Sequence, residues 1–131
     1  MATRILTAIL LLALAAPTLR ADTQAHDNAK ARLASARQTY DGMLKRWALD
    51  PAAPVDCDKI SQWSRRWMEA ERELAAAKEA KAAAIKSHLE RMTTFESRIK
   101  ELRQQGFAAA HEASAAEYFR LEAEQWLRQA Q

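Results

Sequence analysis

Asp50-Pro51-Ala52-Ala53-Pro54-Val55 interrupts a chain that is otherwise rich in strong helix formers. A proline has no backbone N–H and restricts the residue before it, so two prolines this close exclude a continuous helix. Ala, Glu, Lys, Arg, Gln and Leu are common on both sides, and no stretch alternates apolar and polar residues over the length of a strand. The sequence therefore predicts an all-α protein with its first turn at residues 50–55.

Three helices are predicted, separated by this break and by a second one at Gly106. Their approximate ranges are residues 23–49, 58–105 and 108–130. The side chains that suit the N-terminal caps are Asp22 or Thr23 for the first helix and Asp56 or Asp58 for the second. The second helix would be long, roughly 72 Å at about 1.5 Å per residue.

Apolar residues recur in each predicted helix at alternating steps of three and four, which is the spacing of a coiled-coil seam. In the first helix these are His26, Ala29, Leu33, Ala36, Tyr40, Met43 and Trp47. In the second they are Ile60, Trp63, Trp67, Ala70, Leu74 and Ala77, then Ile85, His88, Met92, Phe95, Ile99 and Leu102. In the third they are Ala116, Phe119, Ala123, Trp126 and Ala130. Lys81 falls where an apolar residue is due, so the seam is predicted to shift register there like a stutter.

The helix lengths predict an elongated antiparallel hairpin, coiled-coil-like in its pairing. The first helix would cover one half of the long central helix, and the third helix would cover the other half. A compact bundle of three helices is the alternative. Because the seams contain many alanines, we expect a second copy or another helical partner to complete the core.

Residues 1–21 are typical of a secretory signal peptide. Arg4 precedes the apolar run Ile5–Ala16, which is too short to span a bilayer. Cleavage is predicted between Ala21 and Asp22, with a second candidate after Ala13-Leu14-Ala15. The product is a single helical domain, residues 22–131, that is exported to the periplasm or secreted. The alternative is an uncleaved segment that anchors the protein to the membrane.

The charge balance argues against a nucleic-acid partner. The whole chain carries a net charge of +3, but removal of residues 1–21 takes away Arg4 and Arg20 and no acidic residue, which leaves +1. A dedicated nucleic-acid binder would show a basic stripe, whereas the charges here are interspersed.

Trp63-Ser64-Arg65-Arg66-Trp67 is the most conspicuous cluster inside the predicted domain. Its two tryptophans lie one helical turn apart on one face. As a binding site, they would stack on a ligand or a membrane interface while the arginines meet phosphates. As part of the core, they would pack against Tyr40, Met43 and Trp47, which is the interpretation that the seam favours.

Cys57 is the only cysteine, beside the proline-containing loop and between Asp56 and Asp58. In an oxidising compartment an unpaired cysteine indicates an intermolecular disulfide or a free thiol. The flanking carboxylates are expected to raise the pKa of the thiol and reduce its reactivity.

The sequence predicts neither a metal centre nor a catalytic centre. His26, His88 and His111 are the only histidines, and no two share a helical turn. A metal site would therefore need ligands from distant helices or from two chains. No Ser/His/Asp order, glycine-rich phosphate loop or catalytic carboxylate pair can be argued. We therefore expect no enzymatic activity and no cofactor.

Gly106-Phe-Ala-Ala-Ala-His111-Glu112-Ala113-Ser-Ala-Ala116 resembles the hairpin tip of outer-membrane efflux factors of the TolC type. Glu112 stands where that family usually has Asp, and Ala113 where it usually has Val or Leu. Residues 87–131, with a weaker match at 63–73, are also similar to exported helical proteins of planctomycetes. The chain lacks the strands and the duplicated hairpins of a complete efflux factor. The resemblance therefore implies a helical hairpin that turns at Gly106 and docks through its tip.

Taken together, these features predict an exported, non-enzymatic interaction or scaffold protein. It would pair with itself or with a helical envelope protein. A periplasmic holdase chaperone or efflux-adaptor-like protein is the first alternative, and a metal- or stress-sensing hairpin is the second. Contact with the membrane is expected only through the signal segment, if it stays uncleaved.

Overall fold

The computed structural model describes residues 16–131 as four α-helices joined by short turns. The helices are α1 (Ala16–Leu49), α2 (Cys57–Leu74), α3 (Lys78–Gln104) and α4 (Ala110–Ala130). No strand occurs in this part of the chain, so the all-α prediction is confirmed. Of the apolar run Ile5–Ala16, all but Ala16 lies outside the described residues, as does Arg4. Within residues 16–131, no helix combines the length and the apolar character that a membrane crossing requires.

The prediction of three helices with one long central helix is wrong. Residues 58–105 form two helices, because the chain leaves the helical conformation between Leu74 and Lys78. Ala75 (φ −79°, ψ 123°) and Ala77 (φ −86°, ψ 148°) are extended. The break lets α3 fold back along α2, so the predicted elongated arrangement is replaced by side-by-side packing. Lys81, the supposed stutter position, is exposed in the first turn of α3.

Each helix packs antiparallel against the next one in the chain. Contacts run in opposite order along neighbouring helices, as when Glu96 of α3 pairs with Arg120 of α4 and the earlier His88 stacks on the later Trp126. The helix α4 also contacts α2, to which it runs parallel. The helix α1 contacts α3 through Trp47, whose ring centroid lies 5.7 Å from that of Phe95. The helices α2 and α3 are therefore central, with α1 and α4 outside them.

The inward faces are largely those that the apolar spacing predicts. The largest side chains that are fully enclosed come mainly from α3, where Met92, Ile99, Leu102 and His88 are at most 1% exposed. Around them, α1 contributes Ala29, Ala36 and Tyr40, and α4 contributes Ala113, Ala116 and Ala123. The exceptions are His26, which is exposed on α1, and Ala77, which is exposed just before α3.

The N-terminal part of α1 extends beyond the other helices. The helix is described from Ala16, earlier than the predicted start near Thr23, and Asp22 lies within it rather than at a cap. Every side chain from Arg20 to Asn28 is exposed, and Ala29 is the first buried residue. Residues 20–28 therefore project by about 14 Å at 1.5 Å per residue.

The ends of the other helices follow ordinary capping chemistry. The Asp56 carboxylate accepts a hydrogen bond from the Lys59 backbone N–H at 3.0 Å, which caps α2. After α3, Gly106 has φ +83°, and the N–H of Phe107 reaches the Leu102 carbonyl at 2.8 Å. This is a Schellman motif, for which glycine is favoured because its φ is positive. At the start of α4, the Ala109 N–H donates to Glu112 at 2.6 Å.

Candidate functional site

Trp67 is half-buried and packs against the core from the side of α2 that the seam predicts. Its ring meets Tyr40 edge-on at 5.8 Å between centroids. The guanidinium groups of Arg37 and Arg91 lie 5.2 and 4.0 Å from the Trp67 ring. The indole N–H donates to Glu71 at 2.8 Å. Trp67 therefore joins α1, α2 and α3.

Trp63 instead lines a solvent-open groove between α1 and α2. The groove has a volume of about 470 Å³, and its other lining residues are Asn28, Ala31, Arg32, Ser35, Ala36, Arg66, Glu69 and Ala70. Arg66 lies over the Trp63 ring, with its guanidinium carbon 4.4 Å from the ring centroid. Arg66 makes no ion pair within residues 16–131, whereas Arg32 pairs with Glu73. The groove thus combines an aromatic wall, small residues and a cationic rim.

A buried polar cluster lies where α2, α3 and α4 meet. Ser64 is fully buried, and its hydroxyl lies 2.8 Å from His88 Nδ1. Arg91 donates from Nε to that hydroxyl at 2.8 Å and from Nη2 to the Ser64 carbonyl at 3.1 Å. The His88 ring stacks on Trp126 of α4 at 5.7 Å, and Arg65 lies 4.9 Å from the Trp126 centroid.

Burial controls the ionisation of this cluster. It lowers the pKa of His88 to about 4, and the nearby Arg91 and Arg65 lower it further. Burial also raises the pKa of Tyr40 to about 12, although Arg91 acts in the opposite direction. Both groups are therefore neutral near pH 7. Because Ser64 has no exposed surface, its pairing with His88 holds the helices together and offers no accessible nucleophile.

A second polar contact fastens α4 to α3. The Glu96 side chain is 6% exposed and pairs with Lys100 at 2.7 Å and with Arg120 at 2.5 Å. Burial raises the pKa of this carboxyl, but the hydrogen bonds from Lys100 and Arg120 outweigh it and hold the pKa below its usual value. Arg120 also pairs with Glu124 on α4.

Cys57 belongs to the core rather than to the surface. It is 7% exposed, and its sulfur lies 3.8 Å from the Glu112 carbonyl oxygen on α4. Burial raises the pKa of the thiol to about 11, with further contributions from Glu112, Asp58 and Asp56. The intermolecular disulfide that the sequence suggests would require the start of α2 to move away from α4.

Gly106 and Glu112, the residues that carry the resemblance to efflux factors, lie in and after the turn between α3 and α4. Both have a structural role there, since Gly106 ends one helix and Glu112 caps the next. Phe107 beside them is 53% exposed. Docking through this tip stays a prediction.

The three histidines are not brought together. His26 is exposed on the projecting part of α1, His88 is buried at the centre, and His111 is exposed in the first turn of α4. Among residues 16–131, no three His, Cys, Asp or Glu side chains are grouped as metal ligands.

The predicted cleavage residues Ala21 and Asp22 are exposed within α1.

Sequence reasoning missed the Ser64–His88–Arg91 cluster and the buried Glu96. His88 was expected to be enclosed, because it stands in the apolar row of α3. Its partner could not be identified, since in one continuous helix residues 64 and 88 would be about 36 Å apart.

Comparison with protein-family models, curated proteins and solved structures found no match for this chain.

Proposed function

We propose that this protein is an exported interaction protein, without catalytic activity of its own, that pairs through its helices with a second copy of itself. A helical envelope protein is the alternative partner. The observation that carries the proposal is the open groove between α1 and α2, which the half-buried Trp63 lines and which reaches Asn28 at the end of the uncovered N-terminal part of α1.

The shape and composition of the groove suit a helix. Two antiparallel helices form its walls, and the small residues Ala31, Ser35 and Ala70 allow another backbone to approach closely. Trp63 offers an aromatic anchor of the kind that carries most of the energy in protein interfaces. Arg66 at the rim, which makes no ion pair within residues 16–131, can pair with an acidic side chain on a partner.

Export rests on the pattern of residues 1–21, and cleavage after Ala21 would shorten α1 to residues 22–49. The projecting residues 22–28 then extend the same surface. An isolated helix this short is marginal in water, so a partner helix lying alongside would stabilise it.

The test is the absolute mass of residues 22–131 by light scattering over a concentration series. We expect a dimer that dissociates on dilution. Ala31→Glu places a charge in the groove and should weaken the dimer by tenfold or more, which is about 1.4 kcal/mol. The matched control is Ala34→Glu, an exposed position on α1 that does not line the groove.

A monomer at every concentration would overturn self-pairing. Equal loss of the dimer in both variants would show that the groove is not the interface. Added reductant should leave the mass unchanged, because Cys57 is buried in the folded chain.

A further inference from the structure

The buried cluster around His88 is the joint between the C-terminal part of α4 and the rest of the protein. Trp126, Leu127 and Ala130 pack on the small core formed by Met68, Ala84 and Ile85. Trp126 also stacks on His88 at 5.7 Å. Arg91 in turn binds Ser64, the hydrogen-bond partner of His88. One imidazole of α3 therefore contacts side chains of both α2 and α4.

Ser64 Oγ accepts from Arg91 Nε, because a guanidinium has only protons to give. The Ser64 hydroxyl proton can then be donated to His88 Nδ1, 2.8 Å away, in the tautomer that carries the ring proton on Nε2. In that tautomer a second proton on the ring would occupy Nδ1 and remove the acceptor for Ser64.

The charged groups that act on His88 are both cationic. Arg91 lies beside it from α3 and Arg65 from α2. The nearby carboxylates are already engaged, since Glu69 pairs with Arg65 and Glu71 accepts from Trp67. On the α4 side the neighbour is the neutral Trp126, and from α1 the neutral Tyr40 faces Arg91. An imidazolium would gain some attraction to the Trp126 ring, but that ring already carries the Arg65 guanidinium.

We propose that His88 is an acid-operated latch: its neutral form holds the C-terminal part of α4 against α2 and α3, and its protonation releases that part. The segment released follows Arg120 and includes residues 126–130. Residues 110–120 stay in place, because Arg120 is paired with Glu96 and the Glu112 carbonyl lies over Cys57. Release uncovers the apolar surface of Met68, Ala84 and Ile85.

The test is hydrogen exchange of the full chain, read by mass spectrometry on peptides from the two parts of α4 and corrected for intrinsic rates. Between about pH 7 and about pH 5 we expect the opening equilibrium of residues 121–131 to rise on the order of tenfold. Residues 110–118 should keep their protection and serve as the internal reference. Glu96 remains ionised in this interval, since its pKa lies below its usual value, so its ion pair with Arg120 does not contribute to the change.

The matched variants are His88→Asn and His111→Asn. An asparagine at position 88 can still accept from Ser64 but cannot be protonated. We expect it to abolish the rise in opening, whereas His111→Asn, at an exposed position, should leave the rise intact. If His88→Asn fails to fold, the imidazole signals of the unmodified protein give the answer by NMR. Protonation of His88 should then coincide with exchange of the 121–131 amides, with His26 and His111 as references in the same sample.

Two results would overturn the latch. In one, residues 121–131 keep their protection after the His88 signal has shifted to its protonated position. In the other, the same rise in opening occurs in His88→Asn, which would assign the acid sensitivity to another group.

Discussion

Arginine and tryptophan side chains lie against each other at three places in the body of the protein. Trp67 lies between residues of α1 and α3, Trp63 lines the groove, and Trp126 closes the buried cluster, each within 5.2 Å of at least one guanidinium carbon. A guanidinium is planar and weakly hydrated, so it stacks on an indole at little cost in solvation. Lysine cannot replace arginine at these positions without loss of contact.

Trp67 should be the most costly of these aromatic residues to remove. Trp67→Ala deletes the ring that joins Tyr40, Arg37 and Arg91, and we expect a loss of roughly 3–5 kcal/mol in the free energy of unfolding. Urea titration followed by circular dichroism measures it. Tyr118→Ala is the control, because Tyr118 is 61% exposed. A loss below about half a kcal/mol for Trp67→Ala would contradict the assigned packing.

The depressed pKa of His88 predicts how global stability depends on pH. Its value in the folded chain is about 4, against about 6.5 when unfolded, so the unfolded chain binds the proton more tightly. The stabilisation is complete above about pH 6.5 and is lost as the pH falls toward 4, by about 3 kcal/mol in all. Urea titrations at several pH values measure the slope. His88→Asn should flatten it over that interval, and an unchanged slope would show that another group titrates.

At the scale of the helices, most inward faces could be predicted from sequence, whereas the break at residues 75–77 could not. Three consecutive alanines have high helix propensity, and neither glycine nor proline marks the break. The only signal was the register of the apolar row, which fails between Ala77 and Ile85. A stutter in one helix and a turn between two helices both explain that failure. Packing decides in favour of the turn, because folding α3 back on α2 lets His88 and Met92 be enclosed.

The break makes a specific prediction about proline. Ala75 has the extended conformation that a following proline requires, and the Ala76 N–H makes no backbone hydrogen bond. We expect Ala76→Pro to change the free energy of unfolding by less than about 1 kcal/mol. Ala83→Pro, inside α3, should cost about 3 kcal/mol or more. Thermal unfolding followed by circular dichroism distinguishes the two variants. Equally large losses of stability in both would instead support one continuous helix over residues 58–105.

The candidate site was predictable only in part, since it depends on which helices become neighbours. The inward position of Trp67 follows from its place in the apolar row. The groove beside Trp63 needs the antiparallel pairing of α1 with α2, and the contact of Ser64 with His88 needs the turn at residues 75–77. Spacing along the chain carries no information on either juxtaposition.

At the scale of the whole molecule, stability and association should reside in different parts of the chain. The side chains of residues 20–28 are exposed, so a chain that begins at Ala29 should lose less than about 1 kcal/mol of unfolding free energy. If the projecting part of α1 extends the interface, the same truncation should weaken the dimer. Calorimetry and light scattering of residues 22–131 and of residues 29–131 measure these effects. A large loss of stability would mean that residues 22–28 support the body.

The sequential packing of the helices also bears on how the chain reaches this structure. The contacts join α1 with α2, α2 with α3 and α3 with α4, with few between α2 and α4. A topology dominated by pairs of neighbouring helices has a low contact order, so little chain entropy is lost before each contact forms. Helical proteins of this kind fold within microseconds to milliseconds. The chain can therefore assemble hairpin by hairpin, and the helices synthesised first can pair before the last one is complete.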